Sequence, residues 1–143
     1  MDLRIFNVSD EAAVVSLWER CGLTRSWNDP HQDIRRKLEV QADLFLVGVI
    51  EGQVVATVMA GYEGHRGWIN YLAVAPDHQG QGYGRRMMEE AERRLLALGC
   101  PKINLLVRST NQKAMGFYQR IGYLADEVVS FGKRLENDDA KKG

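Results

Sequence analysis

The sequence predicts one domain with a mixed α/β (α+β) fold, in which helices cover a sheet of both parallel and antiparallel strands. Three β-rich runs joined by short turns, at Gly52 and at 63–67, indicate antiparallel hairpins. Amphipathic segments that alternate with single β-rich runs indicate helices packed on the same sheet. With 143 residues, 45% of them hydrophobic, the chain can bury one core. We assign the domain to residues 1–136 and expect residues 137–143 to form a flexible tail.

The N-terminal half predicts one strand, two helices and a hairpin. Alternation of apolar and polar residues indicates the strand, and an apolar stripe that includes Val14, Leu17 and Trp18 indicates the first helix. Asn-Asp-Pro turn chemistry separates this helix from a second, shorter one. The ranges are 3–8 for the strand, 9–23 and 31–41 for the helices, and 44–64 for the hairpin.

The C-terminal half predicts three strands and two helices. Pro76 stops the first strand, and a helix with apolar residues at helical spacing then runs to Gly99. A strand, a helix that ends at Gly122 and a last strand follow. The ranges are 68–76, 102–108 and 128–135 for the strands and 111–123 for the last helix. The predicted order is therefore β-α-α-β-β-β-α-β-α-β.

Composition limits the possible functions. The formal net charge is zero, whereas nucleic-acid and anionic-membrane binders carry a basic excess. No apolar run approaches the ~20 residues that span a bilayer. The opening segment 1–13 is amphipathic and acidic rather than a secretion signal, so we expect a cytoplasmic protein with reduced thiols at Cys21 and Cys100. The histidines are scattered and no cysteine–histidine pair has ligand spacing, so we expect no metal.

Three glycines within five positions, Gly80, Gly82 and Gly84, lie between a predicted strand and a predicted helix. Glycine disfavours a helix start through backbone entropy, so the cluster requires an explanation. It is either a tight turn or a segment whose exposed amides bind a phosphate at the helix N-terminus. A P-loop does not fit, because no Gly-Lys-Ser/Thr is present. A Gly-x-Gly-x-x-Gly dinucleotide fingerprint fails in both registers, which end at Arg85 and Met87.

A different pattern fits these glycines. Gln79-x-x-Gly82-x-Gly84 followed by Arg85 resembles the acyl-CoA pyrophosphate loop of the GNAT superfamily of N-acetyltransferases. INYLAVAPDHQGQGYG resembles the central strand and loop of that family, and NQKAMGFYQRIGY resembles its last helix. The similarity covers most of residues 3–135 and looks closest to the small bacterial YpeA-like members. It implies a GNAT-like fold, with a central mixed, mostly antiparallel sheet that is splayed at the cofactor strand and flanked by about four helices.

The resemblance also implies acetyl-CoA (CoA) as co-substrate and a role for each matching residue. The strand would pair its backbone with the pantetheine arm, and the loop would hold the pyrophosphate with its amides and Arg85. Asn111 would contact the CoA arm, and Tyr118 would donate a proton to the leaving thiolate. The implied cofactor-binding residues are Leu72, Ala73, Val74, Gln79, Gly80, Gln81, Gly82, Tyr83, Gly84, Arg85 and Asn111. Simpler structural roles remain open at these positions: a buried strand, a solvated helix residue, a helix cap or aromatic packing.

The proton acceptor and the acceptor pocket are less defined. Four residues near the central strands are candidates for the general base, and none is assigned: Glu63, His65, Asn70 and Tyr71. In the family the first helices and nearby loops set acceptor specificity. Here those segments contain Trp18, Glu19, Trp27, Asn28 and Asp29. Tryptophans beside acidic residues can receive a cationic amine.

Two functions remain after this comparison. The first is acetyl transfer from acetyl-CoA to a primary amine of a small molecule or peptide, by direct attack in a ternary complex. The second is a non-catalytic acyl-CoA-binding or regulatory module on the same fold. Tyr118 and Asn111 favour the enzyme, because a pure binder has no need of a phenol at the sulfur. We expect a monomer or homodimer, without nucleic-acid or membrane partners.

Overall fold

Five strands form one mixed sheet in the order β1-β2-β3-β4-β5 in the computed structural model, which describes residues 1–138. Within that range β1 to β4 pair antiparallel, β4 and β5 pair parallel, and four α-helices flank the sheet. The strands are Asp2–Ile5 (β1), Phe45–Ile50 (β2), Gln53–Tyr62 (β3), Gly67–Val74 (β4) and Ile103–Leu105 (β5). The helices are Glu11–Arg20 (α1), Pro30–Leu38 (α2), Tyr83–Ala97 (α3) and Gln112–Arg120 (α4). The predicted mixed, mostly antiparallel sheet with about four helices is confirmed.

Each face of the sheet has its own apolar core. On one face, α1 and α2 bury Trp18 and Ile34 against the sheet. On the other face, α3 buries Met87, Met88 and Leu95, and α4 packs beside them. Full burial of a large apolar side chain contributes about 1.5–3 kcal/mol relative to its exposed state. The two cores therefore fix both helix pairs on the sheet, and β4 contributes side chains to each.

Local signals in the sequence set the helix ends. Asp29 caps α2, because its Oδ1 accepts a hydrogen bond from the His31 amide at 2.9 Å, and Pro30 occupies the first helical turn. Asn111 caps α4 through the Ala114 amide at 3.0 Å. These caps satisfy amides that have no partner inside a helix, so each helix begins where its cap lies.

The last predicted strand, 128–135, is wrong: these residues form no regular element. β5 is also shorter than predicted, since it spans three residues instead of the range 102–108. The apolar side chains of the C-terminal segment are left outside both cores, and Phe131 is 95% exposed. The β-propensity of Val128 and Val129 is therefore overridden by the way the segment is held at its ends.

Two polar contacts fix the ends of that segment, one at β5 and one at α2. Asp126 accepts hydrogen bonds from Lys102 at 3.0 Å and from Asn104 at 2.8 Å. Asp138, which is fully buried, accepts one from Arg36 of α2 at 2.7 Å. The chain between these contacts crosses from the β5 edge to α2 and does not lie along a strand.

Two further predictions concern the C-terminal tail and membrane-spanning helices. Of the predicted tail over 137–143, only Asn137 and Asp138 are among the described residues. No helix within residues 1–138 has both the length and the apolar character needed to cross a membrane.

Candidate active site

Strands β4 and β5 part before β4 ends, and the gap between them is called the cleft. Their parallel pairing ends at Ile69 and Leu105, whereas β4 continues to Val74. Beyond Ile69, β4 is paired with β3 alone among the described strands. One edge of β4 therefore faces the cleft over its last residues, as the sequence comparison implies for the cofactor strand.

Strand alternation decides which peptide groups face this cleft. The Ala75 amide donates to the Val55 carbonyl on β3 at 2.8 Å. In an antiparallel pair every second residue bonds to its partner strand, so the peptide groups of Ala73 are turned toward β3. Those of Leu72 and Val74 are turned toward the cleft. Of the three residues assigned to the arm, two thus offer backbone groups and Ala73 offers none.

A bulge lies in β4 immediately before Leu72. The β3–β4 register shifts between Thr57 and Met59, and Tyr71 has φ +52°, a left-handed conformation that is rare for residues other than glycine. Thr57 Oγ1 donates to the Tyr71 carbonyl at 2.8 Å and accepts from Trp18 Nε1 at 2.9 Å. The fully buried Trp18 ring stacks on the Tyr71 ring with 3.8 Å between centroids. Packing and hydrogen bonds hold a conformation that costs about 1–3 kcal/mol by itself.

The three glycines before α3 have two different structural roles. Gly80 and Gly82 have φ of +78° and +85°, which side-chain-bearing residues rarely adopt, and a Cβ at either would have no neighbour within 4 Å. Gly84 lies in the first turn of α3, where a Cβ would be 3.2 Å from the Phe117 ring of α4. The first two allow the loop to turn with its backbone uncovered, and the third allows α3 and α4 to approach closely.

The start of α3 is unusual in its electrostatics. It has no side-chain cap and no acidic residue in its first turn, which instead contains Arg85 and Arg86. The first helical bond comes from the Arg86 amide to Gly82 at 3.1 Å, so the preceding amides have no partner within the helix. Cations at the positive end of a helix are unfavourable unless an anion binds there. The Arg86 side chain donates to the Met1 carbonyl at 2.8 Å, whereas Arg85 reaches the end of α4.

Lys113 of α4 lies against the same loop and was missed by the sequence analysis. Its Nζ donates to Gln79 Oε1 at 2.9 Å, while Gln79 Nε2 donates to the Val74 carbonyl at 3.0 Å. Cys21 Sγ also contacts that carbonyl, at 3.3 Å. A lysine on an exposed helical turn gives no signal in the sequence, because only the fold brings α4 to the loop. Lys113 thus joins Arg85 as a cation at the margin of the loop.

Tyr118 lies on α4, on the sheet face that also receives Leu72 and Val74. Its ring packs edge-to-face on Phe117 and Tyr123, with centroid distances of 5.1 and 5.8 Å. Burial raises the pKa of its phenol to about 12, so the hydroxyl is neutral at physiological pH. This hydroxyl makes no hydrogen bond to another of residues 1–138, and it remains available as a donor.

A polar network on the opposite face connects α2 to the bulge. The Tyr71 hydroxyl donates to Asp33 Oδ2 at 2.6 Å and accepts from Asn28 Nδ2 at 3.0 Å. Burial, followed by the hydrogen bond to Asp33, raises the pKa of Tyr71 well above its ordinary value. Tyr71 is therefore a poor proton acceptor. Asp33 was not among the predicted residues, because its position on a charged helix gives no sign that it faces β4.

The family description "Acetyltransferase (GNAT) family" matches residues 11–123, which include the cleft, the loop and α4. The chain belongs to the GNAT acetyltransferase family. Two curated proteins named as acetyltransferases, from Pectobacterium atrosepticum and Sodalis glossinidius, are each 47% identical to this chain over 138 and 139 residues. Each alignment covers 96% of this chain and 98% of the relative.

Solved structures share the fold of this GNAT protein at low sequence identity. An aminoglycoside 6′-N-acetyltransferase from Acinetobacter haemolyticus has a TM-score of 0.73 at 16% identity, over 95% of this chain and 100% of that one. A second aminoglycoside 6′-N-acetyltransferase, in complex with a CoA-containing bisubstrate analogue, has a TM-score of 0.75 at 17% identity, over 93% and 97% of the two chains. At these identities the comparison establishes the shared fold.

In this GNAT acetyltransferase the candidate bases in the β3–β4 turn have structural partners. Glu63 Oε1 accepts the amide of His65 at 2.9 Å and also the amide of Arg66. The bond from Arg66, more than any other influence, lowers the pKa of the Glu63 carboxyl. A carboxylate that closes its own turn and has a lowered pKa is a weak base. No residue is therefore assigned to proton removal, as in the sequence analysis.

The two tryptophans assigned to the acceptor region have different positions. Trp18 is fully buried in the core, so it cannot contact an acceptor directly. Trp27 is 48% exposed and lies beside Asn28, which bonds to Tyr71. The guanidinium of Arg108 lies over its ring, 5.8 Å from the centroid. Of these two tryptophans, Trp27 is thus the one whose side chain can contact an acceptor.

Proposed function

We propose that the protein transfers an acetyl group from acetyl-CoA to a primary amine of a small molecule or a peptide. The observation that carries this proposal is the parting of β4 and β5 at Ile69, next to an uncapped helix start with an arginine. An extended arm can pair with β4 as a strand would, while a pyrophosphate binds at the helix N-terminus. CoA combines both features in one molecule.

The residues of the cleft fit CoA in a consistent order. Leu72 would bind the pantetheine arm through its peptide groups and Val74 through its amide, because the Val74 carbonyl already accepts from Gln79, while the Ala73 side chain stays in the core. The amides at the start of α3, with Arg85 and Lys113, would bind the pyrophosphate. The uncovered backbone at Gly80 and Gly82 lets phosphate oxygens approach, and Asn111 has its side-chain nitrogen free of its capping bond.

Bound acetyl-CoA supplies the acetyl group: a C–N bond to the acceptor forms, the C–S bond breaks, CoA leaves as the thiol, and the acceptor loses one proton. The bulge turns the Leu72 amide toward the cleft, where it can donate to the thioester oxygen. Tyr118 donates a hydrogen bond to the sulfur as negative charge develops there. A phenol with a pKa of about 12 is a weaker acid than a thiol near 8.5, so this bond is its main contribution.

We expect the substitution Gly82→Asp to weaken acetyl-CoA binding by about 10-fold or more, because it places a carboxylate beside the pyrophosphate. Gly82→Asn is the matched control, since asparagine has the same shape, tolerates positive φ and carries no charge. The measurement is thermal stabilisation by acetyl-CoA, CoA and NAD. A ligand at 100 times its Kd stabilises a fold by about 2.7 kcal/mol, an effect that a thermal scan detects. Equal losses in both variants, or stabilisation by NAD alone, would contradict the proposed loop.

Enzyme and binding module differ in turnover. The enzyme releases a free thiol from acetyl-CoA when an amine is present, whereas a non-catalytic acyl-CoA-binding module is stabilised by acetyl-CoA without releasing thiol. We favour the enzyme because the Tyr118 ring is partly buried, while its hydroxyl is accessible and has no hydrogen-bond partner among residues 1–138. A cytoplasmic location stays a prediction.

A further inference from the structure

The contact between Trp27 and Arg108 joins two loops that lie on either side of the cleft. Trp27 belongs to the loop between α1 and α2, which is tied to β4 because Asn28 bonds to the Tyr71 hydroxyl at 3.0 Å. Arg108 belongs to the loop that leads from β5 to α4. Since β4 and β5 part just before Tyr71, a contact between these two loops bridges the opening. An acceptor that approaches the bulge from this side meets the pair.

The carboxylates around this opening are already engaged. Asp33 accepts from Tyr71, from Asn28 and from Arg36 Nη1, the last at 3.1 Å. Asp138 accepts from Arg36 at 2.7 Å and pairs with Arg134 at 3.1 Å, and Glu136, which lines one pocket with Trp27, pairs with Arg36 at 3.7 Å. Each of these three carboxylates thus pairs with an arginine of the protein itself. A cationic group on an acceptor would therefore compete with bonds that the fold already makes.

Arg108 differs from the arginines beside it. Its side chain is exposed, and among residues 1–138 it makes no ion pair with a carboxylate. The guanidinium lies over the Trp27 ring, and its N–H donors make no side-chain hydrogen bond to a carboxylate of residues 1–138, so they can bind an anion. A guanidinium over one face of the indole also occupies the place where an ammonium would bind that face. The local arrangement attracts an anion and repels a cation.

We propose that Arg108, held against Trp27, selects acceptor amines that carry a carboxylate at the end remote from the reacting nitrogen. This inference rests on the proposed acetyl transfer and adds the substrate class. It is opposite in sign to the expectation that Trp27 and acidic neighbours receive a cationic amine. The fork of the guanidinium matches a carboxylate in two parallel hydrogen bonds, which a point charge cannot reproduce.

The test uses acceptors of equal length that differ at one end: ω-amino carboxylates, n-alkylamines and α,ω-diamines with two to six methylenes. Initial rates of thiol release from acetyl-CoA give kcat/KM for each acceptor. We expect the best amino carboxylate to exceed the diamine of the same length by about 10–100-fold, as for a hydrogen bond to a charged group. Arg108→Gln removes most of this ratio, and Arg108→Glu shifts the preference toward diamines.

Arg93→Gln is the control, because Arg93 lies on the exposed side of α3 and pairs with Glu90. It leaves the ratio unchanged, and the Kd for CoA, measured by calorimetry, stays constant in all three variants. Diamines used as well as amino carboxylates by the unmodified protein, or a ratio insensitive to Arg108→Gln, would overturn the inference while leaving acetyl transfer intact. Thiol release with none of the acceptors would overturn the inference and count against the proposed function as well.

Discussion

Replacement of Tyr118 by Phe is expected to lower kcat for acetyl transfer by about 10²–10³-fold, the range for loss of a hydrogen-bond donor to charge that develops in the transition state. The substitution removes the hydroxyl and keeps the ring that packs on Phe117 and Tyr123. Stability and the KM for acetyl-CoA should change little, because the hydroxyl acts when the sulfur becomes negative. Steady-state thiol release with a saturating amine gives kcat directly.

Tyr123→Phe is the matched control for this variant. It removes a second hydroxyl from the same aromatic cluster, one that donates to Glu92 at 2.6 Å. We expect a small loss of stability and an unchanged kcat. If both variants lost kcat equally, the effect would come from the cluster and not from a donor at the sulfur.

The pH dependence of kcat tests whether Tyr118 acts as the neutral phenol. The competent form of Tyr118 is the neutral phenol, which exists below its pKa. Because burial raises that pKa to about 12, the competent form persists over pH 7–10. The rate should rise with pH as the acceptor amine loses its proton, without a decline from Tyr118 below pH 10. A decline that Tyr118→Phe abolishes would show that the phenol ionises earlier than its burial implies.

Trp18→Ala is expected to cost about 3–5 kcal/mol of unfolding free energy, the range for removal of a buried aromatic side chain. Its indole stacks on Tyr71 and packs near Phe45, and its N–H bonds to Thr57. The variant loses these contacts and leaves a cavity beneath the β4 bulge. For a domain of this size the loss corresponds to a decrease in Tm of roughly 10–20 °C. Urea unfolding followed by circular dichroism measures it.

Trp27→Ala is the control, since Trp27 is half-exposed and its ring contact is with Arg108. We expect a change within about 1 kcal/mol, as for most surface positions. Similar losses in the two variants would mean that Trp18 does not carry the packing of the bulge. Activity adds a second comparison, because Trp18→Ala should also reduce turnover at temperatures where it remains folded.

The fold was predictable wherever the local sequence pattern agreed with the final packing. The apolar stripe of α3 and the hairpin at Gly52 gave their elements, because periodicity and turn chemistry agreed with the final packing. The segment 128–135 failed because its β-propensity competed with contacts at Asp126 and Asp138 that no local pattern reveals. Residues far apart in sequence decided its path.

The residues of the candidate site also fall into two groups, those that the sequence could indicate and those that it could not. The glycine loop and α4 form contiguous motifs, so Gly82, Asn111 and Tyr118 could be proposed from the residues in order. Asp33 and Lys113 could not, because each is a charged residue of a helix, and contact with solvent is the ordinary reason for such a residue. Their participation depends on how those helices rotate on the sheet, which only the packed structure fixes.

The extra residue in β4 limits how the gene for this protein can change. Ile69 and Leu72 face α3 although three positions separate them, so the bulge resets the alternation of the strand. Deletion of the Tyr71 codon would remove the extra residue, so β3 and β4 would pair with regular alternation and Leu72 would keep its place on the α3 face. The protein would instead lose the left-handed turn and the Tyr71 contacts with Trp18, Asp33 and Asn28. A gene without this codon would therefore encode the same sheet without the side chain that links β4 to α1 and α2.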